Sequence, residues 1–497
     1  MLPISPKAAT WRAALPWAKL LPLGVLGAAL VAGWLTSRLG ILIPALLLGV
    51  PVVATFLVLV FRRPRLGFLV YIGYCFLVMT FNRHLPGAPL GLGMDGLLVL
   101  VWLAVVFFQA GPQRWTRLRN DLCLLSLVWL VINVLEIANP AGASLAGWFY
   151  EMRSTMLYWV LTVPLTYLLL SGRRDLELFL VIVIGISVLG TLYGIKQNVF
   201  GVDMMEKRWL DSGASVTHIL FGKLRVFSFY SDAAQFGSSQ AHVGLICLIL
   251  AGGPYPWWKR LGLATCAGLL LYGMLISGTR GALFVLVAGG FLYLVLSKQL
   301  KVLILGSILA SGALFALKFT SIGSGNPSIV RLRSSLNPED ASLQVRLKNQ
   351  ATLRTYLASR PFGGGVGSIG SWGRLYNPGK FLSTIPPDSY FVKVWAEYGI
   401  VGFLIWLGLM LYILGKCCGI VWHIRDPKLR QQLLALTAGF AGILLCSYGN
   451  EIMNQMPSAL ILYISWVFVF RGPELDAQAL TKAQPAINTI PLRHLPS

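Results

Sequence analysis

Charge is scarce in this sequence, and negative charge scarcer still. Asp, Glu, Lys and Arg make up 12% of the 497 residues, about half the share usual in soluble domains. Acids number 18 against 41 Lys and Arg, and the five His are far apart. The seven Cys (Cys75, Cys123, Cys247, Cys266, Cys417, Cys418 and Cys446) fall in apolar runs or in one short basic loop. That distribution excludes a disulfide framework, and no Cys/His spacing reads as a zinc site. No internal repeat is evident. What remains is apolar: 56% of the chain is hydrophobic and the mean hydropathy is +0.71.

Many apolar runs approach or exceed the ~20 residues that cross a bilayer as helix. The composition therefore predicts an all-α polytopic membrane protein, not a soluble domain. About 14 spans are read, at roughly 20–36, 39–61, 66–81, 96–110, 121–138, 155–171, 176–195, 236–252, 261–277, 281–297, 301–319, 391–414, 431–448 and 457–470. With the shorter ones allowed to be re-entrant, the range is 12–14. Lys7, Arg12 and Lys19 before the first run resemble a signal peptide, but a second span follows at once, so an uncleaved first helix is expected.

The short loops alternate in charge. Arg62-Arg63-Pro64-Arg65, Arg114/Arg117/Arg119, Arg173-Arg174, Lys259-Arg260, Lys298/Lys301, Lys416/Arg425/Lys428/Arg430 and Arg471 fall on one side. The short loops opposite hold at most one basic residue each: Arg38, Arg83, Arg153 and Arg280. The positive-inside rule puts both termini in the cytoplasm. Two long loops, 196–235 and 320–390, then lie outside. The expected organisation is 1–319 as helices with the loop 196–235, then 320–390 as a large loop, 391–470 as the last spans, and 471–497 as a poorly ordered tail.

The loop 320–390 carries eight Lys or Arg (Arg331, Arg333, Arg346, Lys348, Arg354, Arg360, Arg374 and Lys380) against Glu339, Asp340 and Asp388. Long loops escape the positive-inside rule, so topology does not explain this charge. A single-sign field serves an acidic partner; attraction to anionic headgroups of membrane lipids is the plainer alternative. Nothing points to nucleic acid.

Within this loop, Asn337-Pro338-Glu339-Asp340 reads as a helix start, with helix to about Ser359 ahead of Pro361. Arg346, Gln350 and Arg354 share one face, and Leu343, Leu347 and Leu357 lie near another, as in an amphipathic surface helix. Gly365, Gly367 and Gly370 spell a dinucleotide fingerprint, but no strand or βαβ unit surrounds them. A sharply bent loop, one that approaches a ligand, or a flexible linker remain the readings.

Candidate chemistry gathers near span ends. Arg280, in Ser277-Gly278-Thr279-Arg280-Gly281, sits in a tight break between apolar runs. Arginine there is functional, paired or snorkelling, and guanidinium suits phosphate oxygens. Arg153 follows Trp148-Phe149-Tyr150-Glu151, so an interfacial aromatic belt is the alternative to a role in binding. Asp388, in Pro386-Pro387-Asp388-Ser389-Tyr390, is either a helix N-cap or a general base for a sugar hydroxyl. Glu397 lies further into the same span and is suspect as an intramembrane acid. Arg225, the aromatics 227–230, Asp232 and Gln235 suit carbohydrate contact or an ordinary interface segment. His242 reads as a satisfied core residue. Asn133, Glu136, Asn450, Glu451, Asn454 and Gln455 are further polar candidates for the same cavity.

Taken in order, Arg153, then Ser277-Gly278-Thr279-Arg280-Gly281, then Arg346 and Arg360-Pro361-Phe362-Gly363-Gly364-Gly365-Val366-Gly367, then Asp388-Ser389-Tyr390-Phe391 and Glu397-Tyr398-Gly399-Ile400-Val401-Gly402 resemble the bacterial O-antigen ligase/polymerase superfamily. The match is strongest over 225–405. The resemblance implies a GT-C-like, metal-independent, inverting membrane glycosyltransferase without cofactor. It would act on undecaprenyl-diphosphate-linked glycans at the periplasmic face of the inner membrane. It would need a glycan acceptor and leaves room for a chain-length regulator. By that analogy Arg280 and Arg346 are catalytic with Asp388, while Arg153, Arg225, Asp232, Gln235, Arg354, Arg360, Tyr390 and Glu397 bind substrate. Ligases of the family carry a His-Asn pair where this chain has Asp388-Ser389. That departure favours a polymerase of repeat units for exopolysaccharide, capsule or O-antigen. A ligase acting on lipid A core or protein, and a flippase for an anionic lipid-linked glycan, are the alternatives.

Overall fold

The computed structural model describes residues 26–483, apart from 28, 35, 39, 41, 109–114, 221, 322, 326, 335, 336 and 338. The basic N-terminus, Arg114, Pro338 and the tail beyond 483 lie outside the described residues. Among those described, eight helices are long and apolar enough to cross a membrane: Pro64–His84, Leu90–Phe108, Asp121–Ala138, Arg173–Phe200, Ala233–Ala251, Trp257–Ile276, Tyr390–His423 and Pro427–Cys446. A ninth arises if Ser458–Phe470 and the helix bent away from it after Arg471 count as one span. Shorter apolar helices, Leu47–Arg62, Ala282–Leu296 and Leu303–Phe319, together with Tyr158–Leu169, occupy other expected spans. The first expected span is described only in part, and its described residues from 26 to 38 are helical. Leu48, Val52, Phe107 and many other large apolar side chains face outward. This is an all-α, multi-pass membrane protein.

Ala233–Ala251 and Pro427–Cys446 form the centre. Over their most apolar stretches they are 89% and 83% buried, where the other long spans stay below half. Small residues let helices meet there without a lipid-driven hydrophobic force. A Cβ on Gly289 would lie 2.5 Å from Ala438 O, and one on Gly442 would lie 2.6 Å from Val285 O. His242 is fully buried in this centre, but neither ring nitrogen has a hydrogen-bond partner. It is a core histidine, though not a satisfied one.

The loop 196–235 folds into short helices and a two-residue hairpin, Ile219–Leu220 paired with Lys223–Leu224, which delivers Arg225 to the bundle end. Arg83 anchors the chain that follows by donating to the carbonyls of Ser228, Tyr230 and Ser231, with its guanidinium over the adjoining rings of Trp209 and Phe227.

The large loop departs from the sequence expectation in three ways. Its helix runs Ala341–Leu357, and Asp340, not Asn337, accepts from the first turn through Leu343 N. Leu343 and Leu347 stay exposed, while Leu353 and Leu357 pack with Ile369, Leu382, Val392 and Ala396. The inward stripe is therefore Arg346, Asn349 and Gln350, half-buried, with Leu353 and Leu357, buried, because docking onto Tyr390–His423 decides the face. Finally, the glycine run is no linker. Tyr390–His423 breaks at Gly399 (φ 67°, ψ −169°), which frees the carbonyls of Ala396 and Glu397. Gly364 N and Gly365 N donate to them at 2.8 and 2.9 Å, and Val401 N donates to Pro361 O. A buried break in a helix needs such partners. The tail also differs from expectation: Gly472–Ala483 is a helix, and Asp476 accepts from Arg425 N and Asp426 N.

Candidate functional site

The loop at 277–281 is where four elements meet at one end of the bundle. Thr279 Oγ1 donates to Ala233 O at 2.7 Å, tying the loop to the central helix. Gly278 has φ +59°, and a Cβ there would meet Arg331 Cδ at 3.4 Å and Arg225 Cγ at 3.8 Å. A Cβ on Gly281 would fall 1.9 Å from Asn450 Nδ2. The two glycines thus admit two arginines on one side and the turn 447–457 on the other.

Arg225, Arg280 and Arg331 converge here. Arg225 donates to Thr217 O, Thr279 Oγ1 and Ser277 O. Arg280 donates to Ser334 Oγ and pairs with Asp340. Burial holds the Arg225 guanidinium below its ordinary pKa, with Arg280 adding to the depression and Asp232 opposing it. Burial pushes Arg331 down to about 10, with repulsion from Arg225 and Arg280 adding and Asp340 opposing. Arg331 Nε is buried without a hydrogen-bond partner. Three cations facing two carboxylates, with a spare donor on Arg331, make a site that gains from a polyanion.

Arg346 and Asp388 lie beside this cluster, across the turn 447–457. A Cβ on Gly449 would be 3.6 Å from Arg346 Nη1. Asp388 is half-buried and adopts φ +53°, a left-handed conformation that Asp tolerates better than most residues. It does not cap the following helix: Ser389 does, accepting from Val392 N. Burial raises the Asp388 carboxyl above its ordinary pKa, and nearby Glu451 adds to this, while Arg346 and the neighbouring Asn349 side chain oppose it.

The remaining candidates divide. Tyr390 is buried against Trp406, and its backbone N–H donates to Ser447 O and Asn450 O, seating the helix start on the same turn. Glu397 is fully buried and accepts from Gly367 N at 2.9 Å. Asp232 is the N-cap of the central helix, accepting from Ala234 N and Gln235 N. Gln235 donates to Ser458 Oγ within the core, and its Oε1 is left without a partner. Arg153 is taken up by Asp95 and Tyr158. Arg354 is exposed, and Arg360 lies over the Tyr356 ring and donates to Tyr356 O.

Sequence reasoning missed two participants. Arg331 reads in the sequence only as loop charge; its spacing carries no signal, since Gly278 is its partner across more than fifty residues. Lys393 is the other, and the signal that could find it is a lysine inside an apolar run, one turn before Glu397. It is 6% exposed and forms ion pairs with Glu151 at 2.9 Å and Glu451 at 3.1 Å.

The class defined so far is a multi-pass helical membrane protein with an arginine-rich, carboxylate-bearing site at one bundle end. The family model Wzy_C, described as O-antigen ligase, matches residues 265–407, which hold Arg280, Arg331, Arg346, Asp388, Lys393 and Glu397. Over that segment the chain is similar to the O-antigen ligase family. No curated protein matches the chain.

Proposed function

We propose that the protein is a membrane glycosyltransferase that joins lipid-diphosphate-linked oligosaccharide repeat units into polysaccharide. The observation that carries this reading is the convergence of Arg225, Arg280 and Arg331 on one loop, with Arg346 and Asp388 adjacent. The arginines bind the diphosphate and stabilise the charge that develops as it departs. Asp388 accepts the proton of the acceptor hydroxyl. The hydroxyl oxygen bonds to the anomeric carbon as the carbon–oxygen bond to the diphosphate breaks, and the configuration inverts. No metal is required in this scheme. The donor is an undecaprenyl-diphosphate-linked glycan, and the site faces the periplasm from the inner membrane, with 320–390 as its wall and both termini cytoplasmic.

The family description, O-antigen ligase, favours a second reading in which the acceptor is lipid A core or a protein. Purified full-length protein given a synthetic lipid-diphosphate glycan decides between them. New glycosidic bonds between repeat units support the polymerase. Transfer only to an added acceptor supports the ligase. Translocation of lipid with no new bond overturns both. Turnover is expected to survive EDTA, and strong inhibition by EDTA would overturn the metal-free scheme.

A further inference from the structure

Lys393 lies one turn into Tyr390–His423 and is almost fully buried, yet three carboxylates surround it on three elements. Glu151 comes from Leu145–Met152, Glu451 from the turn 447–457, and Glu397 from the next turn of the same helix. Its ammonium also lies under the chain that leads into Asp388: a Cβ on Gly370 would be 4.0 Å from Lys393 Nζ and 3.6 Å from Pro387 Cγ. A buried ammonium carries a large desolvation cost unless paired, so a lysine kept here has a task. Core packing alone would use an apolar residue.

The environment of Asp388 shows what the task is. Arg346 and Asn349 face it from Ala341–Leu357, and Glu451 faces it from the turn 447–457. Lys393 pairs with that same Glu451, while Glu151, Glu397 and the buried Tyr390 are the further titratable groups around the ammonium. The turn 447–457 also carries Asn450, which meets Gly281, and Gln455, which accepts from Ser231 Oγ.

We infer that Lys393 is a positioning residue: held between Glu151 and Glu451, it seats the turn 447–457 against the arginine loop and sets the charge that Glu451 presents to Asp388. This rests on the glycosyl-transfer reading with Asp388 as base. Without the ammonium, the Glu451 carboxylate acts on Asp388 uncompensated and the base holds its proton to higher pH. Without the Glu451 charge, the base releases it at lower pH.

The test is the pH dependence of kcat and KM for the full-length protein, with a synthetic lipid-diphosphate glycan as substrate. Lys393→Met is expected to move the acid limb up by ~0.5–1 pH unit. Lys393→Arg should restore it, and Glu451→Gln should move it down. A rate loss in Lys393→Met with an unmoved limb means a merely structural lysine and overturns the inference. Should Lys393→Met fail to fold, Glu451→Gln still decides, because an unmoved limb overturns the inference there too. Asp388→Asn separates the two levels. If it is inactive while the limb ignores Lys393 and Glu451, only the positioning role fails; wild-type turnover in Asp388→Asn removes the base itself.

Discussion

Between 327 and 357 the long hydrophilic segment touches the bundle through side chains; between 361 and 389 it adds backbone hydrogen bonds to such contacts. In the first half Arg331 rests on Gly278, Asp340 pairs with Arg280, and Leu353 and Leu357 fill an apolar seat, while Val330, Val345 and Leu347 remain exposed. In the second, residues 363–370 are all buried, and the amides of Gly364, Gly365 and Gly367 fill acceptors on Tyr390–His423. Side-chain contacts can be rearranged one at a time. Backbone bonds inside a helix break cannot, because each lost partner strands a buried carbonyl. The first half thus supplies charge, and the second fixes where Asp388 stands.

The comparison breaks most severely at Gly399. It needs φ +67°, and a Cβ would lie 2.1 Å from Pro361 O. Gly399→Ala should cost ~3 kcal/mol or more and leave little monodisperse protein on size exclusion. Recovery of a stable variant with native thermal stability would show that the break is not locked.

Next in size are the arginines. Arg280→Ala and Arg331→Ala should each lower turnover by ~10²–10³-fold while the protein still inserts and purifies. Arg331→Ala is the sharper test, since Arg331 belongs to the half that lends the charge. Wild-type turnover there would leave the cluster without a phosphate role.

Asp388→Asn should lower turnover by a comparable ~10²–10⁴-fold. In the native protein only the deprotonated base works. Because burial and Glu451 raise its pKa, the rate should fall, as pH drops, at a pH above the ordinary carboxylate range of ~4. Arg346 lowers that pKa, so Arg346→Ala should move the acid limb further up, read from kcat/KM against pH. A limb at the ordinary value, or one moving down in Arg346→Ala, contradicts the assignment.

The smallest effects concern which face of Ala341–Leu357 docks. Leu353→Ala should cost ~2–5 kcal/mol of local stability, against within ~0.5 kcal/mol for the exposed Leu343→Ala. Hydrogen exchange across 341–357 reads both. Equal effects would mean that the helix does not dock by that stripe.

Much of the scaffold was legible because apolar length is a one-dimensional signal: a run of ~20 residues reports a span wherever it packs. Arg280 was legible for a related reason, since an arginine in a five-residue break has few places to go. The face of Ala341–Leu357 was not, because Leu343, Leu347, Leu353 and Leu357 compete for one seat and only the partner surface at Val392 and Ala396 chooses. Nor was the role of Asp388 at its helix start, since Asp388 and Ser389 both suit a cap and the left-handed turn gave that task to Ser389.

By itself, then, the sequence determined that this chain is a helical membrane protein with a basic segment and an arginine at a tight span break. Those are properties of composition and order. Tertiary structure decided that Arg225 and Arg331 meet over Gly278, that the glycine run fills the break at Gly399, and that Lys393 stands between Glu151 and Glu451. Each of these joins residues tens to hundreds of positions apart, at separations of a few ångströms that only packed helices specify.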